Sequence, residues 1–287
     1  MFRLPSKPHE RLPQRKQMTI AIGLLGRDGI VMAADTQEST GDYMKGEKRK
    51  VAAFAFTESH PDYPVGVCVI SGAGDSGYVR ALTMKLGMTF GKNKDLMPTL
   101  MVPNGDLGLE DKFAECLQKF YKEDIVPFAH FPERSRPDVE MLIAVRRKGL
   151  MDLFSTEKTT ITQVLPYKAI GLGSVFAELM LNRLWDSASV AQLELLAAYV
   201  VFMAKESIES CGKYTTIATI HTATVVDTPS GSRFQPPGPA VYVKRDTIEE
   251  WEHLFRYEWW KAEKDVIWKL IEHRTNRSGP RRSKGRQ

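Results

Sequence analysis

Three residues whose side chains together could activate a hydroxyl nucleophile lie in the first part of this sequence: Thr19, Asp35 and Lys50. A threonine hydroxyl is a weak nucleophile and needs a base within hydrogen-bond reach. When threonine is the first residue of a chain, its own α-amine, with a pKa of about 7.7 to 8.0, can serve as that base. A neighbouring lysine cation lowers the pKa of the amine and helps to remove the hydroxyl proton, while a carboxylate holds the lysine in place. The three residues therefore predict nucleophilic catalysis by Thr19.

The residues around Thr19 and Asp35 predict a β-hairpin that brings the two side chains together. The predicted elements are a strand at 19–25, a tight Gly-Arg-Asp-Gly turn at 26–29 and a returning strand at 30–35. Asp-Gly between two apolar, β-branched runs is a strong hairpin signal. Thr19 can then lie beside Asp35, and a third strand beyond Tyr43 carries Lys48 and Lys50 back along the same sheet.

The hairpin carries a longer motif, Thr-x-x-x-Gly followed by Asp-Gly, three apolar residues and Ala-Ala-Asp-x-Gln. Its members are Thr19, Gly23, Asp28, Gly29, Ile30 to Met32, Ala33, Ala34, Asp35 and Gln37. This stretch resembles the β-type subunits of the 20S proteasome and the bacterial HslV peptidase, which are N-terminal-nucleophile hydrolases. The runs Met44-Lys45-Gly46 and Lys50-Val51 are especially similar to HslV, and the glycine-rich segments 69–75 and 169–174 match in type and order. The resemblance covers about residues 19–227.

The resemblance implies a threonine-type peptidase that hydrolyses peptide bonds through an acyl-ester on Thr19, supported by Asp35 and Lys50. Lys50 matches the family lysine only with a one-residue gap after Gly41, so Lys48 remains an alternative. No metal or other cofactor is expected.

The same resemblance places the oxyanion hole in the backbone N–H groups of Ser71 and Gly72, in a segment where glycine lets the backbone approach closely. Ser174, Glu209 and Ser210 are the candidates for supporting side chains.

Three departures from the family pattern keep a second function open. Thr19 follows eighteen other residues, Leu172 stands where catalytic subunits carry a serine, and the Asp-x-x-Ser-Gly pattern reads Ile208-Glu209-Ser210-Cys211-Gly212. Glu209 or Ser210 could support the site only with a shift in register. The alternative is a catalytically silent scaffold or regulatory subunit.

A small-molecule amidase is a third possible function, which the likeness to peptidase subunits disfavours. Cys211 as an independent nucleophile is disfavoured because no histidine has a matching context.

The order of elements predicts an α+β fold, a four-layer αββα sandwich of the N-terminal-nucleophile hydrolase type over residues 19–227. Strands, two helices, strands, two helices and strands give two packed sheets with helices outside. We expect helices at 78–90, 110–127, 175–185 and 190–209, a small-residue loop at 71–76, a strand at 215–226, and Ser174 as a helix N-cap.

The two ends of the chain are unlike the family. We expect a disordered extension or propeptide at 1–18, a proline-containing linker at 228–245, an amphipathic helix at 246–273 and a basic disordered tail at 274–287. Four of the five tryptophans lie in that helix, which gives it a wide aromatic face. Packing on its own domain and docking on a neighbouring subunit are equally compatible with this face.

Composition excludes few functions but limits the partners. The net charge of +5 combines +4 in residues 1–17 and +6 in 274–287 with −5 in the body between them. Solvated termini explain this pattern better than nucleic-acid binding.

The apolar runs are too short to span a bilayer, the N-terminus lacks the apolar core of a secretory signal, and three widely spaced cysteines fit a reducing cytoplasm. We expect a cytoplasmic ring or stack of identical subunits acting on peptides or unfolded proteins, a role compatible with an ATPase unfoldase as partner.

We predict that the active protein begins at Thr19. HslV-like chains start as Met-Thr and need only removal of the methionine, and Met18-Thr19 has that form. Either translation begins at Met18 or the first eighteen residues are cleaved. Intact mass and N-terminal sequencing of the native protein check this, and activity should rise with pH as the free amine loses its proton. A native mass that includes residues 1–17, with no activity gained by a chain starting at Met18, would favour the silent subunit.

Overall fold

The structure, a computed structural model, describes residues 19–40, 44–57, 64–92, 107–127, 137–147, 150–209, 211–222, 224–228, 231–235, 238–259 and 261. The chain divides into two units, Met1–Val243 and Lys244–Gln287. Among the helices in these described ranges, none has the length and apolar character needed to cross a membrane.

The described residues form fourteen strands and five α-helices. The strands are β1 (Ala21–Leu25), β2 (Gly29–Asp35), β3 (Gln37–Thr40), β4 (Met44–Glu47), β5 (Val51–Thr57), β6 (Pro64–Gly74), β7 (Val139–Arg147), β8 (Leu150–Glu157), β9 (Thr160–Gln163), β10 (Tyr167–Ile170), β11 (Thr215–His221), β12 (Thr224–Thr228), β13 (Gly231–Gln235) and β14 (Val241–Tyr242). The helices are α1 (Ser76–Lys92), α2 (Leu107–Phe120), α3 (Ser174–Leu184), α4 (Val190–Ser207) and α5 (Arg245–Leu254).

The predicted hairpin, β1–β2, forms the middle of the first sheet, whose order is β10-β1-β2-β11-β14. Ala21 lies opposite Ala34 in the hairpin, and β11 pairs with the other edge of β2 so that Thr215 lies opposite Asp35. All seven residues of β2 are buried, because β1 and β11 cover its edges while neighbouring layers cover its faces. This register places the chain just before β1 next to the end of β2.

The Asp-Gly turn of this hairpin also holds the start of α4. The Asp28 carboxylate accepts a hydrogen bond from the backbone N–H of Val190, the first residue of α4, at 2.7 Å. A carboxylate at a helix N-terminus satisfies a backbone donor that has no partner within the helix and favours the helix dipole. The motif aspartate at position 28 therefore has a structural role.

The second sheet, with the order β5-β6-β7-β8-β9, packs face to face on the first. The apolar core between the sheets includes Ala21, Met32, Ala34, Val67, Val69, Leu142, Ala144, Leu153, Ala218 and Ile220. A second core lies between this sheet and the helices α1 and α2, and includes Ile70, Leu82, Leu86, Phe113, Leu117, Ile143 and Phe154. Helices α3 and α4 contact β10, β2 and β11 of the first sheet. The result is the expected four-layer αββα sandwich.

The structure differs from the sequence predictions in several local elements. Residues 71–74, predicted as the start of a loop, continue strand β6, because β7 pairs with all of them. Their small size has a separate cause, since a Cβ added at Gly72 would lie 2.5 Å from Val79 Cγ1. The N-cap of α3 is Gly173 and not Ser174, which is the first helical residue. Helix α2 ends at Phe120 and continues as a π-helical turn, and strand β9 was missed.

The predicted linker at 228–245 contains strands. β13 pairs with β12, and β14 pairs with β11 at the edge of the first sheet. The expected single strand at 215–226 is accordingly two strands, β11 and β12.

The second unit contains α5 and a π-helical turn at Phe255–Trp259. Arg245 and Glu249 form an ion pair of 2.8 Å along α5, and the rings of His253 and Tyr257 lie 4.4 Å apart between their centroids. The rest of the predicted helix at 246–273, apart from Lys261, lies outside the described residues, as do the segments 1–18 and 274–287.

Candidate active site

The three side chains that the sequence singled out meet at one end of the β1–β2 hairpin. The hydroxyl of Thr19 donates a hydrogen bond to Asp35 Oδ1 at 2.7 Å. The ammonium group of Lys50 donates to the same carboxylate oxygen at 2.7 Å and also to Thr19 Oγ1. Thr19 is 4% exposed and Asp35 is fully buried, so this cluster is screened little by solvent.

Asp35 receives two further hydrogen bonds from the backbone. The N–H of Ile20 donates to Oδ1 at 3.2 Å, and the N–H of Gly212 donates to Oδ2 at 3.1 Å. A buried carboxylate needs such partners, because an unsatisfied buried charge is costly. The four donors fix Asp35, which in turn fixes the positions of Lys50 and Thr19.

The structure selects Lys50 rather than Lys48 as the lysine of this cluster. After β2 the chain forms the β3–β4 hairpin, and the backbone N–H of Lys48 donates a hydrogen bond to the carbonyl of Thr36 at 2.8 Å. The side chain of Lys48 pairs with Glu38 at 3.1 Å. The side chain of Lys50, just before β5, is only 12% exposed and points to Asp35.

The glycine-rich segment after β10 packs directly on the backbone of Thr19. Gly171 has a φ of +85°, and a Cβ there would lie 2.4 Å from the carbonyl oxygen of Thr19. The N–H of Gly173 donates to that same oxygen at 3.3 Å. Glycine is required at 171 for both the conformation and the close approach. This segment therefore positions Thr19.

Glu140 is a positioning residue that the sequence analysis missed. Its carboxylate accepts a hydrogen bond from the N–H of Gly171 at 2.9 Å, and the residue itself pairs with Ala73 between β7 and β6. Glu140 thus connects the second sheet to the turn that holds Thr19. The available signal was a single acidic residue within the otherwise apolar run Val139–Val145.

Ser71 and Gly72, the predicted oxyanion donors, lie in β6 and not in a loop. Ser71 is fully buried and lies opposite both Val51 and Leu142, whereas Gly72 follows the last residue pair between β5 and β6. Gly72 and Thr19 both line a cavity of about 360 Å³. The role of these N–H groups as an oxyanion hole stays a prediction.

Two of the three predicted supporting side chains, Ser174 and Glu209, belong to described residues. Ser174 begins α3, and its N–H donates to the carbonyl of Gly171 at 3.0 Å. In the part of the chain that the structure describes, its hydroxyl forms no hydrogen bond with the Thr19 cluster. Glu209 is exposed in the turn after α4, and Ser210 lies outside the described residues.

Cys211 lies close to this cluster but is unsuited to nucleophilic attack. It is 3% exposed, and burial raises the pKa of its thiol to about 12, with the charge of Asp35 acting in the same direction and that of Lys50 opposing it. The thiolate is the reactive form of cysteine, so at neutral pH this thiol stays protonated and inert.

The arrangement is suited to hydroxyl-based nucleophilic chemistry. A donor cation contacts the hydroxyl oxygen that would carry negative charge, and a fixed carboxylate holds that cation in place. Within the described ranges, no group of three or more His, Cys, Asp and Glu side chains is arranged to hold a metal ion.

The layers, their order and the position of the threonine define an αββα sandwich of the N-terminal-nucleophile hydrolase type. The solved structures that share this fold include those of Anbu proteins. One is the helical assembly of the Anbu complex from Pseudomonas aeruginosa, with a TM-score of 0.65 and 17% identity, covering 93% of this chain and 100% of that one.

Two further Anbu structures match in the same way. Anbu from Hyphomicrobium sp. strain MC1 has a TM-score of 0.62 and 16% identity, covering 88% of this chain and 97% of that one. Anbu from Yersinia bercovieri, described as an ancestral β-subunit, has a TM-score of 0.61 and 13% identity, covering 93% and 100%. Neither a protein-family profile nor a curated protein sequence matches the chain. At these identities the likeness establishes the fold.

We predict that Gly171→Ala displaces Thr19 and destabilises the protein. An alanine at this φ is strained and its Cβ would clash with the Thr19 carbonyl, which should cost about 1 to 3 kcal/mol of the free energy of unfolding. Gly108→Ala is the matched control, because a Cβ at 108 meets nothing within 4 Å. Urea unfolding midpoints measure both variants. Equal midpoints would show that the 171 turn does not constrain Thr19.

Proposed function

We propose that this chain is a threonine-type peptidase subunit that cleaves peptide bonds through an acyl-ester on Thr19. The observation that supports it most directly is the hydrogen-bonded cluster of Thr19, Asp35 and Lys50 beside a cavity. A buried ion pair is expensive to keep in a core, and here it contacts a hydroxyl at a cavity wall, where it can act on a substrate.

In the proposed mechanism, Thr19 Oγ1 attacks the carbonyl carbon of the scissile peptide bond. Its proton passes to the free α-amine of Thr19, while Lys50 stabilises the negative charge that develops on Oγ1. The carbonyl oxygen becomes an oxyanion, for which the N–H of Gly72 is the candidate donor. Collapse of this intermediate breaks the C–N bond, and the protonated amine gives its proton to the leaving nitrogen.

The ester that remains on Thr19 is then hydrolysed by water. The α-amine accepts a proton from the attacking water, and the same Lys50 contact stabilises the departing alkoxide until it regains a proton. Asp35 takes no proton in either half-reaction and serves to orient Lys50 and the start of β1.

The silent-subunit alternative has specific support. Leu172, in the place of the family serine, has an apolar side chain that is 47% exposed, and Cys211 offers a buried, protonated thiol where a serine is expected. The site then lacks two hydroxyl groups that could orient the amine of Thr19. Activity measurements on protein that begins at Thr19 separate the two functions.

We expect Thr19→Ala to abolish the cleavage of fluorogenic peptides and Lys50→Ala to reduce kcat/KM by roughly 10²- to 10³-fold, because each removes a group that acts on the developing charge. Thr19→Ser keeps a hydroxyl and should keep measurable activity. Lys119→Ala, at an exposed lysine of α2, is the control and should leave turnover unchanged. Retained activity in Thr19→Ala would refute the mechanism, and an inactive wild type that begins at Thr19 would favour the silent subunit.

We also propose that the subunit assembles with copies of itself into a ring or stack of at least six. The fold is shared with the P. aeruginosa Anbu complex, which forms a helical assembly. Size-exclusion chromatography with light scattering at micromolar concentration should give a mass several times 32.4 kDa that persists on dilution. A homogeneous monomer would remove the assembly and weaken the case for a peptidase chamber.

A further inference from the structure

The cavity beside Thr19 has an apolar wall and a basic rim. Its apolar part comes from Ala52, Val79 and Met84, the latter two on α1. Its charged lining residues are Glu38, Lys48, Arg49, Lys50 and Arg80. A side chain of the substrate that enters beside the nucleophile would meet both parts.

Two of the four cations are already neutralised by acids. Lys50 is paired with Asp35 at 2.7 Å, and Lys48 is paired with Glu38 at 3.1 Å. A hydrogen bond from Ser76 is the largest effect on Glu38 and lowers its pKa. Burial raises the pKa by less, and the hydrogen bond and charge of Lys48 lower it further. Glu38 is therefore an anion at neutral pH, and its charge cancels that of Lys48.

The other two cations, Arg49 and Arg80, remain without an acidic partner among the described residues. The guanidinium of Arg49 lies over the ring of Tyr242, 4.8 Å from its centroid. This contact holds Arg49 in place but leaves its charge uncompensated. Arg80 is exposed on α1 at the cavity rim. With Lys48 balanced by Glu38 and Lys50 balanced by Asp35, the mouth of the cavity carries a net charge of about +2.

We propose that this cavity binds the substrate side chain on the acyl side of the scissile bond and selects an acidic one, glutamate in particular. The methylene groups of glutamate would pack on the apolar wall, and its carboxylate would reach the guanidinium groups of Arg49 and Arg80. Arginine suits this role because its planar fork binds a carboxylate with two hydrogen bonds. A lysine at the same position is repelled. This inference rests on the proposed peptidase function and adds the class of substrate to it.

The test compares peptides that differ only in the residue before the scissile bond: glutamate, glutamine, leucine or lysine. We expect kcat/KM for glutamate to exceed that for glutamine roughly 4- to 25-fold, from about 2- to 5-fold for each of the two exposed arginines. Lysine should be the poorest substrate. The glutamate-to-glutamine ratio should fall as salt is raised from about 0.05 to 0.5 M, because the rim charges are open to screening.

Three variants test the proposal further, because they should lower, raise or leave unchanged the glutamate-to-glutamine ratio. Arg80→Gln should lower the glutamate-to-glutamine ratio about 2- to 5-fold, and Glu38→Gln should raise it, because it removes an anion from the lining. Arg27→Gln, at an exposed arginine in the β1–β2 turn, should leave the ratio unchanged. A ratio near one in the wild type, or one that Arg80→Gln does not alter, would overturn the proposal.

A binding measurement separates this proposal from the proposed function. Labelled peptides that end in glutamate or glutamine, as cleavage products would, are titrated against Thr19→Ala by fluorescence anisotropy. If the glutamate peptide binds more tightly and this preference is lost in Thr19→Ala/Arg80→Gln, the acidic selectivity is supported. This holds even if the wild type cleaves nothing, a result that would refute only the peptidase. Equal binding of the two peptides refutes the selectivity, even where turnover supports the peptidase.

Discussion

The site depends on one buried carboxylate. Asp35 is fully buried and accepts hydrogen bonds from Thr19, Ile20, Lys50 and Gly212. These donors come from three stretches of chain outside β2: the start of β1, the turn before β5 and the turn before β11. Because an uncompensated charge in a protein core is far more costly than a lost neutral hydrogen bond, all three stretches must reach this point together. Because Asp35 needs all of these donors, the position of Thr19 depends on the completion of both sheets.

The two sheets contribute to the site in different ways. The first sheet supplies the Thr19 hydroxyl and the Asp35 carboxylate, through the register that pairs Ala21 with Ala34. The second sheet supplies Lys50 just before β5, Gly72 in β6 and Glu140 in β7. Face-to-face packing of the sheets therefore brings the cation to the hydroxyl. A change that slides one sheet over the other would separate Lys50 from Thr19 even if every strand stayed intact.

Much of this site could be predicted from the sequence, because its main parts are local. The Asp-Gly turn fixes the β1–β2 hairpin. Because side chains alternate between the two faces of a strand, the alternation of apolar residues predicts which of them face each core. The choice between Lys48 and Lys50 could not be made in this way. It depends on how far the β3–β4 hairpin extends and on the pairing of Lys48 with Glu38, which the spacing of the lysines does not encode.

The elements that sequence reasoning missed share a physical cause, which is that distant partners override local propensity. Residues 71–74 have loop composition, yet they form a strand because β7 pairs with all of them. The short strands β13 and β14 are recognisable only from their partners, β12 and β11. Glu140 and Gly212 act on the site through single hydrogen bonds across more than thirty residues of sequence, and no local pattern marks such a contact.

The central position of β2 also has a consequence for how the chain folds during its synthesis. One edge of this strand is covered at once by β1, whereas the other waits for β11, whose Thr215 pairs with Asp35 about 180 residues later. At a synthesis rate of roughly 5 to 20 residues per second, that edge stays open for about 10 to 40 s after it leaves the ribosome. An apolar strand with a free edge is a template for intermolecular pairing. The nascent chain is therefore most prone to aggregate during this interval, and chaperones that bind extended apolar segments would have their natural target in β2.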